Sequence, residues 1–113
     1  MPLRNPCIEY LPRDCERFVL CVLESKGYII LSRDAQGYDI LATHPASPYL
    51  YFIEVKHGSR AVLSPRQREL KERIDFIRHK HDKNIKYVVC HFDDEGRLIG
   101  DSECKKLLRG YLP

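Results

Sequence analysis

The chain has 113 residues, of which 43% are hydrophobic and 31% charged, with a formal net charge of +3. This composition predicts one soluble globular domain and excludes a disordered chain. No apolar run approaches the roughly 18 residues that a membrane helix needs, so no membrane partner is expected. The small positive charge permits nucleic acid as a partner without requiring it.

The cysteines indicate reduced thiols. There are five of them, an odd number, and they show no paired metal-site spacing. Cys15, Cys21 and Cys90 lie within apolar patterns, where a free thiol behaves as a small hydrophobic group. The N-terminal residues lack the apolar core of a signal peptide. We therefore expect a reducing, cytoplasmic location.

The first predicted helix carries a misplaced carboxylate. Residues 1–12 contain three prolines and predict an irregular arm, and residues 13–26 predict a helix that stops at Gly27. At about 100° per residue, the apolar side chains of this helix share one arc, and Glu16 lies inside it. Glu16 could belong to a functional site. It could also be a boundary residue that reaches solvent or pairs with an arginine.

Three strands are expected next, with charges inside the second hairpin. Residues 28–33 form the first strand, and residues 34–37 form a turn. Two further runs, which end at residues 43 and 56, form a hairpin around two prolines. Glu54 and Lys56 project to the same side of the last strand, and Asp39 falls opposite residues 53–55. Burying a charge costs several kcal/mol unless it is paired or metal-bound. These charges therefore indicate chemistry, unless Glu54 and Lys56 form a solvated strand end or simply pair with other charges, and Asp39 is only a turn residue.

The second helix begins at a recognisable cap. Ser64 is the expected N-cap, Pro65 the first helical residue and Gln67 the capping-box partner, and the helix runs to about residue 81. Gln67 also fills a gap in the apolar stripe of this helix, so it could be a site residue or only a cap. Residues 85–92 predict a strand parallel to the third, and residues 102–109 a terminal helix, with residues 98–99 as a possible edge strand. The result is an α/β (α+β mixed) fold with a four- to five-stranded mixed sheet, in the order αβββαβ(β)α.

These residues resemble a known nuclease pattern. Glu16, Gly37-Tyr38-Asp39, Glu54-Val55-Lys56 and Gln67 are similar to the motifs of the PD-(D/E)xK nuclease superfamily, and most similar to those of archaeal-type Holliday-junction resolvases. Tyr38 stands where the family usually has a proline. The resemblance implies a restriction-endonuclease-like core and a Mg²⁺-dependent endonuclease that acts on branched DNA as a homodimer.

The resemblance also implies roles for individual residues. Asp39, Glu54, the Val55 carbonyl and Glu16 would bind Mg²⁺, with Mn²⁺ as a substitute, and hard oxygen ligands suit these ions. Lys56 would orient the attacking water and stabilise developing negative charge. Gln67 would hold a water or a phosphate oxygen at the positive end of its helix.

The remaining expectations concern partners. A nickase or an endonuclease with another DNA preference is the alternative in the same class, and a non-catalytic nucleic-acid-binding module is the alternative in another. The dimer contact is placed in the terminal segment with Leu107, Leu108, Tyr111 and Leu112. The arginines expected to contact DNA flank the site in sequence or lie on its elements: Arg4, Arg13, Arg17, Arg33, Arg60, Arg66 and Arg68.

Overall fold

The computed structural model describes residues 5–81 and 84–113. The helices are α1 (Cys15–Ser25), α2 (Pro65–His81) and α3 (Ser102–Leu107), and the strands are β1 (Ile29–Ala35), β2 (Tyr38–Thr43), β3 (Leu50–His57) and β4 (Ile85–Phe92). The strands form one sheet in the order β1-β2-β3-β4. Neighbours are antiparallel from β1 to β3, and β4 is parallel to β3. The predicted mixed α/β fold is confirmed.

Helix α1 forms because a cap, an apolar arc and a stop signal coincide. The Asp14 side chain accepts a hydrogen bond from the Arg17 amide at 3.0 Å and so caps the first turn. The helix ends before Gly27, whose φ of 87° lies in the left-handed region that favours glycine. Phe18 is fully buried and packs edge-on against Phe92 of β4. The apolar arc of α1 therefore covers one face of the sheet.

The pairing of β2 with β3 determines which side chains share the other face. Ile40 pairs with Ile53, and both are fully buried in the core beneath α1. Because side chains alternate along a strand, the next residues, Asp39 and Glu54, project to the opposite face. Lys56, two residues after Glu54, lies on that face as well. The predicted position of Asp39 opposite residues 53–55 is confirmed.

Helix α2 lies over this second face near its polar end. Ser64 Oγ accepts from the Gln67 amide at 3.2 Å, and Gln67 Oε1 accepts from the Ser64 amide at 2.7 Å. These two bonds are the predicted capping box. Ile74 is buried, and Leu70 packs so tightly on Gly37 that a Cβ there would lie 2.9 Å from a Leu70 methyl carbon. The start of α2 is thereby fixed next to the turn that precedes Asp39.

Several element boundaries differ from the predicted ones. The arm contains a short 3-10 helix at Pro6–Tyr10, β1 continues to Ala35, and α3 ends at Leu107. The possible fifth strand is reduced to a single bridge between Phe92 and Leu98. Strand β1 runs further because the turn that joins it to β2 needs only residues 36–37. This extension moves residue 34 from the predicted turn into the sheet.

The prediction of reduced cysteines is wrong for four of the five. Cys7 is bonded to Cys21, and Cys90 is bonded to Cys104, while Cys15 is free and buried. A buried cysteine has the same apolar sequence context whether or not it is bonded, and the pairing depends on Cα atoms brought 5.5 and 5.4 Å apart by the fold. Disulfides persist in oxidising compartments and inside hyperthermophilic cells. The inference from reduced thiols to a reducing cytoplasm therefore does not hold.

Candidate active site

Asp39 and Glu54 lie side by side on neighbouring strands. Asp39 Oδ2 accepts a hydrogen bond from the Val55 amide at 2.8 Å, which places its carboxylate beside the Glu54–Val55 peptide. The charge of Asp39 is close enough to act on the carboxyl group of Glu54. Glu54 is only 3% exposed and is the one charged side chain among the described residues that is buried to this degree. Two acidic groups thus meet at the buried end of the hairpin, where burial disfavours the charged form of Glu54.

Glu54 is held in place on one oxygen and left unsatisfied on the other. Its Oε1 accepts from Gln67 Nε2 at 2.7 Å and lies 3.7 Å from Lys56 Nζ. Its Oε2 is buried and has no hydrogen-bond partner among residues 5–81 and 84–113. Burial, followed by the charge and contact of Asp39, raises the pKa of Glu54 from 4.5 to about 7, against the opposing effect of Lys56. The solvated strand end is therefore the wrong interpretation of Glu54 and Lys56.

Gln67 is both a cap and a site residue. Its amide oxygen closes the capping box with Ser64, while its amide nitrogen donates to Glu54 across the gap between α2 and β3. The two alternatives considered for Gln67 were never exclusive, because a carboxamide offers an acceptor and a donor at once. Through this one side chain, the start of α2 is tied to the buried carboxylate.

Glu16, on α1, lies close to the carboxylate of Asp39. Carboxylate oxygens of Glu16, Asp34 and Asp39 all lie within 4.8 Å of one another. Glu16 Oε2 also lies 2.8 Å from Arg33 Nη2, so the arginine pairing considered as an alternative is present as well. Burial raises the pKa of Glu16, the hydrogen bond from Arg33 lowers it, and the charges of Asp39 and Asp34 raise it further. Glu16 is thus a member of an acidic cluster and an ion-pair partner.

Two residues of this region were missed by the sequence analysis. Asp34 was placed in a turn, but Arg33 pairs with Ile40, so Asp34 lies directly opposite Asp39 in the sheet. Extending the hairpin by two residues would have found it. Tyr87 is buried, and its hydroxyl donates to the Gly37 carbonyl at 2.6 Å. Burial, with the charges of Glu54 and Asp39, raises the pKa of Tyr87. A tyrosine within a predicted strand gives no signal beyond ordinary core packing.

Three of the arginines predicted to contact DNA make contacts within the domain. Arg33 is paired with Glu16, Arg66 donates to Gln36, and Arg17 lies over the ring of Tyr10 at 5.4 Å. Arg4 lies outside the described residues. The other predicted arginines share one property, which is that they are exposed: Arg13, Arg60 and Arg68.

The predicted dimer contact is wrong in its position. Leu107 is 5% exposed and Leu108 is fully buried, and both belong to the core cluster. Tyr111 and Leu112 are half-buried against the same core. This segment is apolar because it covers the domain's own interior. Among the described residues, the exposed large apolar side chains include Phe76 and Ile77 on α2.

The residues present fit a hard divalent cation. An acceptor such as Glu54 Oε2, buried beside a second carboxylate, costs about 1–3 kcal/mol when no donor satisfies it. A cation beside Asp39 and Glu54 would satisfy it and neutralise both charges. The donors are carboxylate oxygens, which Mg²⁺ and Mn²⁺ prefer over nitrogen or sulfur. The Val55 carbonyl remains a predicted ligand, since the contact seen at this residue is made by its amide.

Comparison with known proteins does not assign the chain to a family. No protein-family model matches the chain, and no curated protein sequence matches it either. Within the described ranges, none of the helices has the length and apolarity needed to cross a membrane.

Proposed function

We propose that the protein is a Mg²⁺-dependent DNA endonuclease of the PD-(D/E)xK type, with a restriction-endonuclease-like core. The observation that carries this proposal is the buried Glu54 with one oxygen unsatisfied, next to Lys56 and one residue before the Val55 amide that Asp39 accepts from. A carboxylate in this position destabilises the protein when no cation is bound. The same carboxylate becomes useful when it can bind a cation that contacts a phosphate. A purely structural site would be expected to satisfy or remove this charge.

Each residue of the site has a distinct role in this proposal. Asp39 and Glu54, with the Val55 carbonyl and Glu16, would hold Mg²⁺ or Mn²⁺. Bound there, the ion would neutralise phosphate charge and make a water nucleophilic near neutral pH. Lys56 is partly buried, with a side chain 20% exposed, and its three N–H donors can orient that water and stabilise charge on the phosphate.

Gln67 and Tyr87 would position these groups. Gln67 fixes one oxygen of Glu54 through its amide nitrogen and leaves the other oxygen free. Tyr87 holds the carbonyl of Gly37, two residues before Asp39, and thereby fixes the turn that carries this carboxylate. A site held by such contacts needs little rearrangement on binding substrate.

The substrate we propose is branched DNA, cut by a homodimer. A four-way junction presents two strands for symmetric incision, and this small domain has one Asp39–Glu54 site, so two copies related by a two-fold axis match the junction. The exposed face of α2 suits such a contact. Two α2 helices packed antiparallel about Phe76 would bring the two rings together and set Glu72 of each subunit near Lys80 of the other. Phe76 is 59% exposed.

The experiment that tests the substrate compares labelled four-way junction, linear duplex and single-stranded DNA of matched length in Mg²⁺. Paired, symmetric incisions in the junction, with much slower cleavage of the other two, are expected. Equal cleavage of linear duplex would favour the alternative of an endonuclease with another preference. Single incisions by a monomer would favour a nickase. Binding without cleavage would favour a non-catalytic module.

A further inference from the structure

We propose that His91 is a positioning residue of the nuclease site, which holds the turn after Lys56 and thereby fixes where the Lys56 ammonium lies. His91 is on β4, a strand that carries no residue of the predicted motif. This inference rests on the proposed function in one respect, which is that Lys56 acts in the cleavage step.

His91 lies beside Lys56 on the face of the sheet that carries the site. The two residues are paired in register between β3 and β4. Cys90 and Phe92, on either side of His91 in sequence, are fully buried in the core beneath α1. Side-chain alternation therefore directs His91 to the other face, where it is half-buried. Neighbouring strands are about 4.8 Å apart, so the His91 and Lys56 side chains leave the sheet as neighbours.

The His91 ring binds the backbone at the point where β3 ends. Its Nε2 lies 2.5 Å from the Gly58 carbonyl oxygen, and because a carbonyl only accepts, the ring nitrogen donates. The same carbonyl accepts from the Ala61 amide at 3.1 Å, and the Gly58 amide donates to the Phe92 carbonyl at 2.8 Å. Gly58 has a φ of 102°, which favours glycine, and it lies two residues after Lys56. Three hydrogen bonds thus fix this turn, and one of them comes from a side chain on the face of the site.

The turn held by His91 begins the segment that joins Lys56 to the start of α2. At the other end of this segment, Gln67 accepts from the Ser64 amide and donates to Glu54. The segment is therefore tied to the site at both ends, by His91 at one end and by Gln67 at the other.

A second side chain of β4 makes the same kind of contact before Asp39. Tyr87 donates to the Gly37 carbonyl at 2.6 Å, two residues before Asp39. Gly37, like Gly58, has a positive φ, of 94°. Tyr87 and His91 are four residues apart and so lie on one face of β4. One strand thus supports the turns on both sides of the site residues of β2 and β3.

The position of Lys56 depends on this support. Its Nζ lies 3.7 Å from Glu54 Oε1, which is too far for a hydrogen bond, so the backbone at the end of β3 determines where the ammonium lies. A shift of about 1 Å in a positioned group can lower a rate about 100-fold. Contacts between exposed arginines and phosphates do not need this precision. Loss of the His91 bond should therefore lower kcat and leave KM nearly unchanged.

The test measures kcat and KM for cleavage of a labelled four-way junction by the full chain in Mg²⁺. His91→Leu removes the donor and should lower kcat by about 10- to 100-fold, with KM within about 3-fold of wild type. His91→Gln should recover most of this loss, because its amide nitrogen can donate in place of Nε2. Gly58→Ala perturbs the same turn from the other partner, since an alanine is strained at this φ and its Cβ would lie 3.4 Å from Asp94 Oδ1. It should lower kcat as well.

His44→Leu is the matched control. His44 also bonds a backbone carbonyl through Nε2, that of Lys26 at 2.9 Å, but at the opposite end of the β2–β3 hairpin. This variant should keep the wild-type kcat even where its melting temperature falls. Hydrogen exchange of the Ala61 amide, followed by nuclear magnetic resonance, gives a readout without cleavage. Exchange should be faster in His91→Leu and close to wild type in His91→Gln and His44→Leu.

Three results would overturn the inference: a wild-type kcat in His91→Leu, an equal loss of kcat in His44→Leu, or no recovery in His91→Gln. Cleavage by wild type, with unchanged Ala61 exchange in His91→Leu, would also remove the role of His91 and leave the nuclease. A wild type that cuts no DNA, with faster Ala61 exchange in His91→Leu alone, would remove the nuclease and leave His91 as the residue that holds the turn.

Discussion

Replacing Glu54 with glutamine should stabilise the metal-free protein while removing its activity. Gln67 Nε2 now donates to Glu54 Oε1 at 2.7 Å, and the amide oxygen of Glu54→Gln can keep this bond. The new amide nitrogen takes the place of the unsatisfied Oε2 and can donate to Asp39. The substitution therefore removes a buried charge and supplies the missing donor, at nearly constant volume.

The magnitude follows from proton linkage. The pKa of Glu54 is raised from 4.5 to about 7 in the folded chain, so the folded state binds more protons than the unfolded state within this window. The stability from protonated Glu54 is fully present below pH 4.5 and is lost as the pH rises through 7. At about 1.4 kcal/mol per pH unit, the loss across the window from pH 4.5 to about 7 is at most about 3.5 kcal/mol. Above pH 7 the variant should exceed wild type by about 1–3 kcal/mol in free energy of unfolding.

Urea unfolding in the presence of chelator, repeated across this pH window, measures the effect. Wild type should lose stability as the pH rises through the window, and Glu54→Gln should lose much less. Adding Mg²⁺ above pH 7 should recover stability in wild type only, because binding to the folded state stabilises it. A variant no more stable than wild type at any pH, or a wild type whose stability does not fall, would refute the reasoning about this buried carboxylate.

The other predictions concern the site, its second helix and the dimer. Asp39→Asn should abolish cleavage and leave junction binding equal or tighter, as gel shifts in chelator would report; wild-type turnover would remove Asp39 from the site. Gln67→Ala should lower turnover 10-fold or more and, through the lost cap, cost about 1 kcal/mol of stability; loss of stability alone would make Gln67 only a cap. Phe76→Lys should give a monomer by light scattering with little change in melting temperature, whereas Ile8→Lys should stay dimeric, and a dimeric Phe76→Lys would place the contact elsewhere. Junction binding should weaken steeply with salt as phosphate contacts release counterions, and a flat salt dependence would count against contacts by the exposed arginines.

The features predicted well from sequence are those set by local rules. Side-chain alternation places Glu54 and Lys56 on one face of a strand, and a short hairpin then brings Asp39 next to them. Gln67 could be found because a capping box fixes its distance from Ser64. Each of these arguments spans only a few residues or a single turn, and the fold preserves them.

The features that sequence reasoning missed depend on where a strand ends or on distant contacts. Asp34 was missed because β1 continues into the predicted turn, and one hairpin pair decides whether Asp34 lies opposite Asp39. Tyr87 reaches Gly37 across 50 positions of sequence, a contact that no local pattern encodes. Leu108 is in an apolar stretch that packs on the domain's own core rather than on a partner. Cysteine pairing has the same origin, because it is decided by Cα atoms that meet only in the folded chain.

Single-turnover cleavage of a labelled four-way junction tests the central claim most directly, which is that the Asp39–Glu54 pair is a metal site for phosphodiester hydrolysis. Purified wild type should cleave the junction in Mg²⁺ or Mn²⁺ and not in chelator, and Asp39→Asn should bind the same DNA without cutting it. Cleavage that persists in chelator, cleavage by Asp39→Asn at the wild-type rate, or no cleavage of any DNA by folded wild type would contradict the claim.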